Sequence, residues 1–384
     1  MINPERSDDG FHLVIAGGSV AALEATLALR ELAAGRVRVT LVAPQEEFVY
    51  RPMTVREPFA YPAAHRYDLA EIASDLGAEV LRDSFGWVDP EQRVAHTEGG
   101  EELAYDALLL AVGAHPYERF PHALTVDDKR IDEQLHGLIQ DVEGGYVKSL
   151  AFVTPARMAW PLPIYELALM TARRAYDMNV NVKVTVATPE DAPLAIFGDG
   201  ASQAVASLLS DAGIEAISNA YVEVPQSGHL VITPGDRRLE VDRIVALPEL
   251  AGPSIRGLPG GEHGFIPVTP HGQVRGVERV YAAGDATDFP IKHGGIAAQQ
   301  ADTAAASIAA LAGAEVEPKP FHPTIRGILL TGERPRYLTA QITGGAGFSS
   351  QLTDEPTWSP PTKIAAQYLA PYLDKRDSAA DASR

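Results

Sequence analysis

The chain has 384 residues, enough for two or three domains around a large core, and 46% of them are apolar, as in a soluble globular protein. Its 51 acidic side chains against 32 basic ones leave a formal charge of -19, which opposes binding to nucleic acid phosphates or anionic lipid. Cysteine is absent, which excludes disulfide exchange, persulfide intermediates, thiolate metal sites and a cysteinyl-flavin link, and the 11 histidines form no HExxH array that would hold zinc.

No uncharged apolar run approaches the ~18 residues of a membrane span. The opening MINPERSDDG lacks the basic and apolar sections of a signal peptide, so a cytoplasmic protein is the expectation. From Phe11 to Arg30 an apolar strand runs into a tight turn of small residues that opens an Ala/Leu-rich helix. Gly17 supplies backbone freedom, and Gly18, Ser19 and Ala22 let a pyrophosphate approach the positive end of that helix. The spacing is GxSxxA, without the second glycine of GxGxxG, and its physics fits FAD or NAD equally. Val39 to Val42 provides the second strand that this unit requires.

Tyr105 to Gly113 reads as an apolar strand ending in small residues, after which Pro116 and Pro121 mark a crossing between domains. Strands are expected at Leu150 to Val153, Val182 to Ala187 and Val241 to Leu247, with helices at Ile164 to Ala175 and at Leu208 to Ile214, the latter stopped by Gly213. The alternation argues for parallel sheets. Because VDRIVAL echoes YDALLLAVG, two similar α/β units in tandem are expected. Val280 to Ala282 then leads through a Gly-Asp turn to an alanine-rich helix ending near Gly313. From Pro318 onward the prolines predict irregular structure with one short helix, Lys363 to Tyr372, and a disordered polar tail DKRDSAADASR.

The ordered pieces GGSVAALEA, YDALLLAVGA and RVYAAGDATDFP together resemble the pyridine nucleotide-disulfide oxidoreductase group of two-domain flavoproteins. Within it they are most similar to sulfide:quinone oxidoreductases and to the flavoprotein subunits of flavocytochrome c sulfide dehydrogenase. FVYRPM, PLPIYE, GFIPVT and KHGGIAAQQAD support this over residues 11 to 320. The resemblance implies an α/β fold like glutathione reductase, with two tandem Rossmann-like domains. Residues 1–115 with 256–318 would form an FAD-binding domain, 116–255 an NAD(P)-binding-like domain, and 319–384 a C-terminal region. It further implies non-covalent FAD held by Gly17, Gly18, Ser19, Ala22, Arg51, Pro52, Gly113, Gly284, Asp285, Gly295 and Ile296.

Four departures from that pattern bear on function. Ala43 stands where an acid usually binds the adenosine ribose, leaving Gln45 or Glu46 as substitutes. FVTPARMA, from Phe152 to Ala159, has no glycine for a phosphate turn, so NAD(P)H in the usual groove is doubtful. Trp160 falls where relatives carry a reactive cysteine; it either stacks in the site or fills space between the domains. The AQxA segment of quinone-reducing relatives is half absent, and Gln299 and Gln300 either face a substrate or contact the flavin ring.

The resulting expectation is an FAD-dependent oxidoreductase that transfers electrons without cysteine chemistry. Lys292 and the helix amides after Gly295 are the candidate donors to the negative charge of a reduced flavin, Lys292 having a solvated loop position as its alternative. Tyr50, Trp160, Tyr165 and Trp358 are candidates for an aromatic substrate pocket. The expected partner is a small-molecule substrate or an electron carrier, with a homodimer also open. Two alternatives stand: an NAD(P)H- or quinone-linked reductase, and a non-catalytic flavin-binding partner or sensor.

Overall fold

The computed structural model describes residues 10–342 and 348–382; the MINPERSDD segment and the last two residues of the polar tail lie outside them. Strand β1 (Phe11–Ala16) is apolar along most of its length because both of its faces are covered, and helix α1 (Val20–Leu32) comes directly after it. Strand β2 (Val37–Val42) returns parallel to β1, with Phe11 opposite Val37 and Ala16 opposite Val42. Strand β3 (Glu79–Leu81) extends that flank, and β4 (Ala107–Leu110) lies on the other side of β1.

The chain then leaves this sheet through His115–Tyr117, which pairs antiparallel with the returning Glu249–Ala251. Between these crossings lies a second α/β unit. Its elements are β5 (Leu124–Thr125), α2 (Ile131–Glu143), β6 (Ser149–Val153), α3 (Leu162–Asp177), β7 (Lys183–Ala187), α4 (Asp199–Asp211), β8 (Glu215–Ile217) and β9 (Arg243–Ala246). They form a parallel sheet in the order β5-β9-β6-β7-β8. The helix expected at Leu208 to Ile214 is the end of the longer α4, and Gly213 just beyond it has φ 70°.

Strand β10 (Val280–Ala282) closes the first sheet as β10-β4-β1-β2-β3, every pair parallel. Helix α5 (Gly294–Leu311) packs on α1 through alanines, among them Ala22, Ala25, Ala298, Ala301 and Ala305, whose small side chains let the two backbones approach closely. The α/β fold with two tandem Rossmann-like units is therefore as the sequence implies.

The C-terminal region differs from expectation. Strands β11 (Thr324–Leu329), β12 (Arg336–Ile342) and β13 (Phe348–Thr353) form an antiparallel meander, because Ile325, Leu329, Leu338 and Ala340 present one apolar face to the second core. Helix α6 (Leu369–Ala382) starts later than Lys363 and includes most of the tail expected to be disordered. Pro371 sits in its first turn, where a missing N–H costs little. Arg376 then ties the polar turns to Glu71 and Asp75, and the Tyr372 hydroxyl donates to Asp75 at 2.9 Å. Buried Glu24 of α1 accepts the backbone N–H of Tyr368 at 2.9 Å and that of Leu369, holding the start of α6. Burial and the neighbouring Glu24 push Asp302 of α5 up to about 9, so the shared proton rests on Asp302 while Glu24 takes the amides.

Candidate active site

The carboxyl ends of both sheets point at one cavity of about 380 Å³, within the roughly 300–1,000 Å³ of small-molecule sites. From the first sheet come Ser19 after β1, Gly113 after β4, and Gly284 and Asp285 after β10. From the second come Asp128 after β5, Trp160 after β6 and Leu247 after β9. Convergence at strand ends is expected of open α/β sheets, whose ligands lie beyond those ends.

The turn after β1 needs its glycines. Gly17 has φ 126°, and a Cβ there would lie 2.3 Å from the Ala111 carbonyl oxygen, while its N–H donates to Val42 O at 2.8 Å. At Gly18 a Cβ would lie 2.7 Å from the Gln45 amide nitrogen. Ser19 caps α1 without a side-chain hydrogen bond, which leaves the first N–H groups of that helix facing the cavity mouth. Ala22 is buried beneath this turn. Of the two substitutes for the missing acid, the half-buried Gln45 approaches the turn whereas Glu46 is exposed; Ala43 itself is fully buried.

Gly284 has φ 79° and donates its N–H to Gln300 Oε1 at 2.8 Å, and Gln300 Nε2 reaches Thr287 Oγ1 at 3.1 Å. Asp285 lies deep in the protein with its exposed area turned to the cavity, and burial pushes its carboxyl up to about 6 despite the Lys292 cation. No group of the chain donates a hydrogen bond to it among the described residues. Lys292 is 7% exposed; its ammonium donates to Thr287 O and lies 4.1 Å over the Phe265 ring. Burial lowers it to about 8. Lys292 is thus a buried cavity-wall cation and not a solvated loop residue.

Arg51 and Pro52 form the wall between the units, and Arg51 meets Asp128 at 3.7 Å. Trp160 packs edge-on against Phe197 at 5.8 Å and lies 4.2 Å from the ring of His293, a residue that no sequence pattern singles out. The His293 Nδ1 accepts the Gly295 N–H at 3.0 Å, which puts the imidazole proton on Nε2, and that atom is buried without a partner. Burial lowers its pKa to about 3, so the ring is neutral at physiological pH.

Several expected residues are elsewhere. Tyr165 is fully buried in the second core and its hydroxyl donates to Glu190 at 2.6 Å, which removes it from the cavity. The Tyr50 hydroxyl accepts the Ile364 N–H at 2.8 Å, and Trp358 packs on Tyr337 and donates to Thr362 O at 3.0 Å. Of the four aromatic candidates only Trp160 lines the cavity. Gly295 and Ile296 are buried behind the wall, and their N–H groups are taken by His293, so those amides are not free for a flavin. Gln299 bonds Gly295 O and both backbone groups of Thr324, while Gln300 braces the Gly284 turn; neither reaches a substrate.

A buried ion pair also lines the cavity. Lys363 Nζ lies 2.7 Å from both carboxylate oxygens of Glu166, and Leu330 N–H donates to the same carboxylate at 2.9 Å. Burial raises the Glu166 pKa and lowers that of Lys363. No local pattern announces a pair whose members lie 197 residues apart.

The family model described as pyridine nucleotide-disulphide oxidoreductase matches residues 11–141 and 165–307. The gap between the matched segments contains β6 and the turn to Trp160. No curated protein sequence matches the chain. Among solved structures, the sulfide:quinone oxidoreductase from Aquifex aeolicus superposes with a TM-score of 0.81 at 17% identity, covering 90% of this chain and 87% of that one. A ferredoxin reductase from Rhodopseudomonas palustris gives 0.67 at 19% identity over 89% and 88%. A covalent putidaredoxin reductase–putidaredoxin complex gives 0.64 at 15% identity over 91% and 88%. These likenesses are of fold. Among the described residues no helix is long and apolar enough to cross a membrane. With the glycine turn after β1 and the Gly284-Asp285 turn both inside the matched segments, the chain belongs to the pyridine nucleotide-disulphide oxidoreductase family, whose members are FAD-dependent oxidoreductases, and it does so without a single cysteine.

Proposed function

We propose that the cavity holds FAD non-covalently and that the protein passes electrons from a small-molecule donor to an electron carrier without thiol chemistry. The observation that carries this reading is Asp285, a carboxylate on the cavity wall after a Gly284 turn with no donor from the chain. A polyol hydroxyl would satisfy it, as the ribityl chain of FAD would. The glycines Gly17 and Gly18 let the turn pack tightly on Ala111, Leu69 and Gln45, and the helix N–H groups after Ser19 serve a pyrophosphate, with Ala22 packed beneath them and Gln45 as the polar partner for the adenosine ribose. Gly113, Arg51 and Pro52 fit the remaining length of the cavity.

Bound flavin supplies the electron-accepting centre. Lys292 brings positive charge to the cavity wall and compensates Asp285, while Trp160 screens this part of the cavity from water. His293 offers a neutral N–H donor beneath the indole. A nicotinamide donor in the second unit is disfavoured because α3 opens on Pro161, Leu162 and Pro163, and the second proline removes an N–H at the place a phosphate would use.

The purified protein should be yellow, acid precipitation should release FAD intact, and NADH or NADPH should bleach the flavin slowly or not at all in stopped flow. A colourless protein after saturation with FAD, or release of FMN, overturns the cofactor reading. Fast saturable bleaching by NADH returns the NAD(P)H-linked alternative. Sulfide is not expected to be the physiological donor in a chain without redox cysteines, and rapid saturable turnover with sulfide and a quinone overturns that exclusion.

A further inference from the structure

One end of the cavity is walled by Leu162 and Glu166 of α3, Arg326 and Ile328 of β11, and Lys363 and Ile364 of the segment before α6. Lys363 and Glu166 neutralise each other. Arg326 is different: it is half-buried, burial alone acts on it and lowers its pKa, and no carboxylate pairs with it among the described residues. Arg56 lies close enough to Lys363 to lower that pKa further, and its own Nε is buried without a partner. Lys363 is thus matched by Glu166 and has a second cation, Arg56, beside it, while Arg326 lines the same cavity without a matching carboxylate, in a chain whose formal charge is -19.

A guanidinium partly removed from water and left unpaired is unfavourable until an anion meets it, and its planar fork suits a carboxylate. The neighbouring walls, Leu162, Ile328, Ile364 and Trp160, are apolar, which disfavours a small hydrated inorganic anion. We propose that this end of the cavity takes an acidic substrate, an apolar organic molecule whose carboxylate pairs with Arg326. That the molecule is a substrate rests on the redox reading above; that the site binds organic carboxylates does not.

Benzoate and its neutral isostere benzamide test the site by isothermal titration calorimetry on the purified holoprotein, with Arg326→Gln and Arg326→Lys as variants. Benzoate should bind at least about tenfold more tightly than benzamide, the advantage of a charge-assisted pair. Arg326→Gln should lose that preference, Arg326→Lys should keep part of it, and neither should lower the melting temperature, since no partner of the chain is removed. Equal affinity for benzoate and benzamide, an unchanged benzoate affinity in a folded Arg326→Gln, no heat with benzoate, or a lowered melting temperature of Arg326→Gln each overturns the proposal. Calorimetry reads binding whether or not flavin is present, so failure of the cofactor reading leaves this result separate. A shift of the flavin absorption band on adding benzoate places the anion beside the redox centre; binding that leaves the band untouched overturns the substrate assignment.

Discussion

The two parallel sheets share the order of four adjacent strands, β4-β1-β2-β3 and β9-β6-β7-β8, and differ in the turn that leaves their central strand. After β1 the chain turns through Gly17, at φ 126°, and Gly18 into α1, whose first N–H groups are uncommitted. After β6 it passes through Thr154 to Trp160 without a glycine, and α3 starts on Pro161 with Pro163 beside it. Helix N–H groups without a side-chain cap border the cavity at the first turn, and the side chains of Met158 and Trp160 border it at the second. One strand order therefore carries two different turn chemistries, an uncapped glycine turn in the first unit and a proline-flanked turn in the second.

The sharpest way to break this comparison is Gly17→Val. The new side chain meets the Ala111 carbonyl oxygen and a backbone angle it strongly disfavours, so stability should drop by about 3 kcal/mol or more, or flavin should not be retained. Normal melting with a normal yellow colour would show that the first turn is not built for close approach. Trp160→Ala, in the second turn, should cost less than the ~3–5 kcal/mol of a fully buried aromatic, because its ring is partly exposed to the cavity. It should shift the flavin spectrum. An unstable variant with an unchanged spectrum would make Trp160 a packing residue.

A third prediction concerns the helices behind the first turn. Asp302 is held protonated, so its contribution to stability is complete below about pH 4 and is lost as pH rises through about 9. Asp302→Asn keeps a donor toward Glu24 without the ionisable proton. At pH 9 it should be more stable than the parent by about 1.4 kcal/mol or more, one pKa unit's worth, with a flatter melting profile between pH 6 and 9. Parallel profiles for parent and variant would refute the shared proton. The smallest effect belongs to the second turn: Thr154 Oγ1 is buried without a partner, so Thr154→Val should leave the melting temperature unchanged or raise it slightly, with flavin retained. A clear loss would reveal a polar role in the turn that the comparison denies.

What was legible in the sequence was local. The β1 turn, the two closing strands and the Gly284-Asp285 turn are short runs whose residue types dictate their backbone, and each reappears at the cavity or in a sheet next to it. The C-terminal meander was hidden because its flanking prolines suggest irregular chain while its pairing depends on partners across the sheet. Tyr165 shows a different difficulty. One step along a helix rotates a side chain by about 100°, so Tyr165 points into the core at Glu190 while Glu166 reaches the cavity wall. The motif is legible in the sequence and the phase of the helix is not. Lys363, Arg326 and His293 depend on tertiary neighbours, and only the fold puts them at the site.

The contact between Arg51 and Asp128 at 3.7 Å is a bridge across the cavity between residues of the two units, each about half exposed. Any molecule that touches both walls shares its binding energy with this contact. By reciprocity, to whatever extent an occupant strengthens the bridge, the bridge strengthens the occupant by the same free energy. Raising the salt concentration, which screens this exposed pair, then reads that coupling as a change in the affinity of the cavity.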